Sequence, residues 1–223
     1  MMGEFPIARA GAGAAMVLAG ALACTAAQAT YVAEVEANDG FATAQVLDGN
    51  FSLDFDADIG DLSGANTSTS LAHASVRATG NDSVDIYRFT VNAPGSRVIL
   101  DIDYGAPGFD SALWLFSAAD LVNELRNDWD TTATAGAGGS VANLGGGLSD
   151  DSFIEEVVAS AGVYYALVGR QASGVPGYDV VPVGASYVLH VSVDQAEVLP
   201  SPAVLPLFAT GLLGFAWSRR PGA

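Results

Sequence analysis

The chain contains no lysine. All eight of its basic residues are arginines, set against 25 aspartates and glutamates in 223 residues, for a formal net charge of -17. With no basic patch to neutralise phosphates, nucleic-acid binding is excluded. Cysteine is nearly absent as well, and the single Cys24 rules out an internal disulfide framework or a cysteine-based zinc site. Histidine occurs only at positions 73 and 190. Charged residues are scarce at 15%, where ordinary soluble chains carry about 25%, yet half of the residues are hydrophobic and the mean hydropathy is +0.34. A strongly acidic chain is ordinarily hydrophilic, so the apolar residues must be concentrated in particular segments.

Two such segments lie at the ends. Residues 10–23 form an uncharged Ala/Val/Leu/Met run behind Arg9, and Ala27-Gln28-Ala29 supplies the small residues a signal peptidase reads. Residues 1–29 are therefore expected to be a secretory signal peptide cut after Ala29, with lipidation at Cys24 as the alternative. At the other end, Ala203 to Trp217 is an uncharged run of 15 residues followed by Ser218 and the pair Arg219-Arg220. That is shorter than the ~20 residues of an ordinary membrane helix, and Pro200, Pro202 and Pro206 oppose helix at its start. The arginine pair would hold the far end in the cytoplasm and leave the preceding residues outside.

This tail, residues 198–223, resembles the PEP-CTERM sorting signal of Gram-negative exopolysaccharide-producing bacteria. The matching pieces are Pro200-Ser201-Pro202, the apolar span with Leu205-Pro206-Leu207-Phe208 and Thr210-Gly211-Leu212, and Arg219-Arg220; Ser201 stands where the commonest form has Glu. The resemblance implies processing by an exosortase-type enzyme. It also implies transient anchoring in the inner membrane by a short hydrophobic helix, then release to the cell surface or extracellular matrix.

Between the ends, residues 30–199 carry 24 acidic residues against five arginines, a formal charge of -19. Such a region must face water or divalent cations. Its pattern is that of β-structure. Tyr87, Phe89 and Val91 alternate with Ile86, Arg88 and Thr90; Val98, Leu100, Ile102 and Tyr104 alternate with Arg97, Asp101 and Asp103; Tyr187, Leu189, Val191 and Val193 share a third face. Further strands are expected over 74–79, 111–116, 121–126, 152–159 and 163–169, separated by Gly/Pro turns such as Asn92-Ala-Pro-Gly95. About eight short strands, with a brief helical stretch over 41–47, predict an all-β fold: a single antiparallel β-sandwich, jelly-roll-like, over residues 30–197. Residues 48–70 and 131–149 read as long loops.

Carboxylates are the residues able to carry chemistry. Glu34, Glu36, Asn38 and Asp39 put three carboxylates and an amide within six residues, and Asp82 and Asp85 add two more just before the Tyr87-Arg-Phe89 strand. Hard oxygen donors crowded in this way suit Ca²⁺, which takes 6–8 oxygens at about 2.3–2.6 Å. The run beginning at Asp54 imitates a calcium-binding loop but puts Gly60 one place late and Ala65 where an acid is needed, so it is rejected. Asn127-Asp128 and Asp150-Asp151 flank the glycine-rich loop as a lesser candidate for a second ion.

Residues 34–193 resemble the bacterial pre-peptidase C-terminal domain, a β-sandwich module that includes the collagen-binding domains of clostridial collagenases. The residues that carry the likeness are Glu34-x-Glu36-x-Asn38-Asp39, Asp82-x-x-Asp85-x-Tyr87-x-Phe89, Asp110 ahead of Leu113-x-Leu115-Phe116, Gly162-x-Tyr164-Tyr165 and Tyr187-x-Leu189-x-Val191. The resemblance implies a structural calcium held among Glu34, Glu36, Asn38, Asp39, Asp82 and Asp85.

Catalytic patterns are weaker. There is no Gly-x-Ser-x-Gly elbow, phosphate loop or dinucleotide fingerprint, and the strand pattern sends His190 to an outer face and puts His73 at a strand start. The expectation is an exported, non-enzymatic, calcium-stabilised surface or matrix protein that meets exopolysaccharide or another extracellular polymer. The alternatives are an adhesin module for carbohydrate or collagen-type ligands and an accessory module of a secreted hydrolase. Trp129 and Tyr178 are candidates for exposed stacking rings, whereas Trp114 and Tyr104 are expected in the core.

Overall fold

Aromatic and β-branched side chains at every second position fit a pleated surface buried on one side. In the computed structural model, which describes residues 30–128, 131–132, 136, 148–171 and 178–196, these runs form two packed sheets. The long strands are β3 (Ala72–Thr79), β4 (Asp85–Val91), β5 (Arg97–Asp103), β6 (Ser111–Ser117), β10 (Phe153–Val157), β11 (Gly162–Gln171) and β13 (Ser186–Asp194). Short pieces complete them: β1 (Val32–Ala33), β2 (Gln45–Val46), β7 (Arg126–Asp128), β8 (Thr131–Thr132), β9 (Leu148–Ser149) and β12 (Tyr178–Asp179). The first sheet runs β1-β3-β13-β5-β10 and the second β2-β4-β11-β6-β7, with β12 alongside β11 and β8-β9 as a separate ribbon.

The expected all-β sandwich is therefore the fold of the described residues. Its core is built from the alternating sets: Val76 and Ala78 of β3, Tyr87 and Phe89 of β4, Leu100 and Ile102 of β5, Leu113 and Leu115 of β6, Tyr164 and Ala166 of β11, and Tyr187 and Leu189 of β13. Sheet-on-sheet packing of this kind interdigitates the inner faces and leaves the outer faces to solvent or to loops.

Both outer faces are covered by chain. On the second sheet, Ile86, Trp114, Phe116 and Leu167 form a cluster under Phe41, whose ring meets Phe116 and Tyr165 edge-on at 5.3 and 5.2 Å. On the first sheet, Ile99 packs with Leu71 and Phe153. This double cover is why β5 and β6 are buried at almost every position instead of every other one.

Four expectations are corrected. The stretch 41–47 is a turn followed by β2 rather than a helix, because packing Phe41 onto the second sheet outweighs its local helical pattern. Residues 121–125 are not a strand: Asp120 Oδ1 accepts the N–H groups of Val122 and Asn123 and turns the chain, so strand begins only at Arg126. The pairing is not wholly antiparallel, since β1 lies parallel to β3 and β2 parallel to β4. Tyr104 is 51% exposed at φ 57°, because β5 ends at Asp103 and the chain turns before the alternation reaches it.

Trp114 is buried as expected. The signal segment 1–29, the sorting residues Pro200, Ser201, Pro202, Arg219 and Arg220, and the side chains of Trp129 and Tyr178 lie outside the described residues. Among the described residues no helix is long and apolar enough to cross a membrane.

Those parallel pairings position the site. β1 pairs with β3 at Val76 and Arg77, and β2 pairs with β4 at Tyr87 and Arg88, so residues 34–44 cross from one sheet to the other at the β3–β4 edge. Glu34, Glu36, Asn38 and Asp39 ride on that crossing, beside Asp85 at the first position of β4.

Candidate metal centre

Glu34 continues the β1 ladder, its N–H donating to the Arg77 carbonyl at 3.1 Å. Its carboxylate accepts the Thr79 N–H at 2.9 Å through one oxygen and the Tyr87 hydroxyl at 2.8 Å through the other. Tyr87 and Tyr187 are hydroxyl to hydroxyl at 2.9 Å, and the Tyr187 hydroxyl donates to Asp85 Oδ2 at 2.6 Å. Two phenols that belong to the core on their ring side thus hold two carboxylates on their polar side. A buried tyrosine hydroxyl must find a partner in this way.

Around this pair the candidate donors converge. Glu34, Glu36 and Asp85 each place a carboxylate oxygen so that the three lie within 4.8 Å of one another. Asn38 is fully buried; its amide N–H donates to Glu34 Oε1 at 3.3 Å and its carbonyl accepts the Ile86 N–H at 3.0 Å, while its side-chain Oδ1 has no hydrogen-bond partner. Asp85 is fully buried too, and its Oδ1 is likewise unmatched. Buried oxygens left without donors are costly, by roughly 1–3 kcal/mol each and more when charged.

The electrostatics agree with the geometry. Burial pushes the Asp85 carboxyl up to about 7, and the charges of Glu34, Glu36 and Asp39 push the same way against the Tyr187 hydrogen bond. Glu36 is raised by its own desolvation and by Glu34. Removing negative charge from this pocket, or adding positive charge, is what the local field favours.

Of the six expected ligands the structure brings together Glu34, Glu36 and Asp85, with Asn38 against Glu34. Asp39 accepts the Ser83 hydroxyl at 3.0 Å and adds charge from nearby. Asp82 falls outside the carboxylate group; at φ 75° it shapes the turn into β4, its N–H donating to the Val181 carbonyl at 3.1 Å. The sequence reading missed Tyr87 and Tyr187 as site residues, because their place in an alternating face marks them as core and says nothing of where a hydroxyl at the end of the ring points.

A serine, a histidine and an aspartate do meet, contrary to the expectation drawn from the strand pattern. Ser75 Oγ lies 2.7 Å from His190 Nδ1, and His190 Nε2 lies 3.2 Å from Asp103 Oδ2. Ser75 faces His190 across β3 and β13, a pairing that alternation alone does not reveal. Ser75 is 2% exposed, so its hydroxyl is shut away from any substrate; one hydrogen bond and one close His–carboxylate contact link β3, β13 and β5.

Fold and site together define an all-β sandwich with an oxygen-lined acidic pocket where its N-terminal segment crosses between the sheets. Among solved structures, the chain is similar to the pre-peptidase C-terminal domain of a collagenase from Bacillus anthracis, at 18% identity and a TM-score of 0.30, covering 53% of this chain and 86% of that one. No protein-family model matches the chain, and no curated protein matches it.

Proposed function

We propose that this chain is an exported, non-enzymatic β-sandwich module whose N-terminal crossing is clamped by a structural calcium ion. The observation that carries this reading is the pair of buried, unmatched oxygens, Asn38 Oδ1 and Asp85 Oδ1, beside the converging carboxylates of Glu34, Glu36 and Asp85. Calcium supplies a hard cation that accepts several oxygens at flexible geometry. Glu34, Glu36 and Asp85 would provide charge, Asn38 a neutral oxygen, and the two tyrosines would hold Glu34 and Asp85 in place. Binding to the folded state alone stabilises it by about 2.7 kcal/mol at a hundredfold excess over Kd.

Thermal unfolding of the full chain from micromolar to millimolar Ca²⁺ tests the proposal. The midpoint should rise with calcium, and both Glu36→Ala and Asp85→Ala should abolish the part of the rise that sets in at micromolar calcium; a midpoint indifferent to calcium overturns it. The tail resembling a sorting signal supports export, processing by an exosortase-type enzyme and a place at the cell surface or in the matrix. Mass spectrometry of the native C-terminus should find the chain shortened near Pro200, and an intact Ala223 would count against processing.

A second reading, binding of an extracellular polymer, rests on Tyr104. Its exposed ring borders a groove of 390 Å³ lined also by Arg77, Thr79, Ser186 and Val188. Tyrosine rings stack on sugar faces and pack on fibrous protein alike. Pull-down on exopolysaccharide and on collagen, with Tyr104→Ala as the control, separates a binding role from a purely structural one.

A further inference from the structure

The outer face of the first sheet carries a second concentration of carboxylates, on the side of β5 opposite the core. Asp101 and Asp103 alternate outward from Leu100 and Ile102, and both are buried, Asp101 at 2% exposure and Asp103 at 0%. Asp151, just before β10, is buried at 1%. The charges acting on Asp101 come from Asp103, Asp151 and Asp58, all negative.

Asp101 is the anomaly. Neither of its carboxylate oxygens has a hydrogen-bond partner, and neither reaches solvent. Its neighbours are differently placed: Asp103 is paired with His190, Asp151 Oδ2 accepts the Gly105 N–H at 3.4 Å, and Asp58 accepts the Tyr104 hydroxyl at 2.9 Å. Backbone presses directly on the pocket. A Cβ on Gly136, at φ +85°, would run into the Asp101 carboxylate, and one on Gly105 into that of Asp151. Glycine at both places lets the main chain close over charged groups that would otherwise need water.

A wholly buried carboxylate with no donor, ringed by like charges, is among the least favourable arrangements a fold can hold. A hard divalent cation removes both faults at once, by cancelling charge and by occupying the unmatched oxygens. We propose that the outer face of the first sheet binds a second calcium ion through Asp101, with Asp103 and Asp151 as the neighbouring carboxylates, independently of the centre at Glu34, Glu36 and Asp85. Among the described residues, only the first centre gathers three carboxylates within 4.8 Å, so the second ion has fewer converging protein oxygens and binds more weakly.

Native mass spectrometry and calorimetric titration of the full chain with Ca²⁺ decide the matter. The wild type should take up two ions in two steps. Asp101→Asn, which keeps the shape and removes the charge, should lose the weaker step and keep the stronger; Asp85→Asn should do the reverse. The metal-free Asp101→Asn protein should also melt higher than the metal-free wild type, a readout that needs no bound ion. A wild-type stoichiometry of one that survives Asp101→Asn overturns the second site, as does a second step unchanged by Asp101→Asn. A single step lost only in Asp101→Asn would sustain this site and defeat the first. Should Asp101→Asn fail to fold, Asp151→Asn must weaken the second step at least tenfold, and an unchanged step overturns the proposal.

Discussion

Raising the pH in the absence of metal should weaken this protein where most proteins are at their most stable. Asp85 is the lever. Its carboxyl is held at about 7 in the folded chain against an ordinary 3.8, so between those values the unfolded chain has released a proton that the folded chain retains. Stability contributed by that proton is complete below about pH 4 and is lost as the pH climbs through 7. Each unit of difference is worth about 1.36 kcal/mol, so the loss approaches about 4 kcal/mol. That is a large share of the 5–15 kcal/mol typical of a domain and corresponds to about 10 °C in Tm. Calcium at the proposed centre would require the ionised carboxylate, so its stabilising effect should be slight at pH 5 and several-fold larger at pH 8. Urea and thermal melts at pH 5, 6, 7 and 8, in chelator and in millimolar calcium, measure both slopes. Other groups titrate as well: Asp101 is raised by burial and adds a slope of the same sign, while His73, lowered by burial, loses stability as the pH falls below 6.5 and so opposes it. The difference between wild type and Asp85→Asn isolates the Asp85 contribution. A metal-free stability equally flat or equally steep in both proteins would refute the reasoning.

Tyr187→Phe removes the hydroxyl that joins Asp85 to Tyr87 and should cost about 1–3 kcal/mol in urea unfolding, with the Asp85 titration by NMR moving further up. Phe89→Ala, in the centre of the inter-sheet core, should cost about 3–5 kcal/mol whether or not calcium is present. Gly80→Ala forces a Cβ against the backbone of Val181 and Pro182 beside the turn into β4, so it should lower the Tm and weaken calcium binding together. Arg97→Ala breaks a 3.0 Å ion pair with Glu155 at the surface and should change stability by less than about 1 kcal/mol, vanishing in high salt.

What the sequence discloses here is periodicity, and periodicity reports faces. Tyr87, Phe89 and Val91, or Tyr187, Leu189 and Val191, fall on the inner side as their spacing requires. Spacing cannot report whether the other side is covered. Asp101 and Asp103 alternate away from the core and are nonetheless buried: Leu71, from the segment before β3, packs on Ile99 of the same face, and the backbone at Gly136 lies against the Asp101 carboxylate. Nor does local pattern weigh distant partners: Leu121, Val122 and Leu125 look like strand but remain exposed, the Asp120 turn having taken the backbone donors first. The acidic pocket was readable because Glu34, Glu36 and Asn38 lie within five positions and Asp85 opens a recognisable strand. Its tyrosine clamps were not, since they come from strands a hundred residues apart.

The register of β1 and β13 has a bearing on display. β1 joins β3 in parallel at Val76, partway along it, whereas β13 ends beside Ala72, so the described chain departs at the Ala72 end of the first sheet. Glu34 reaches Thr79 and Asp85 meets Tyr187 at the opposite end, across strands of eight and nine residues, a span of roughly 25–30 Å. A copy held by the chain beyond β13 would therefore carry the acidic pocket at the end of the sandwich away from its support.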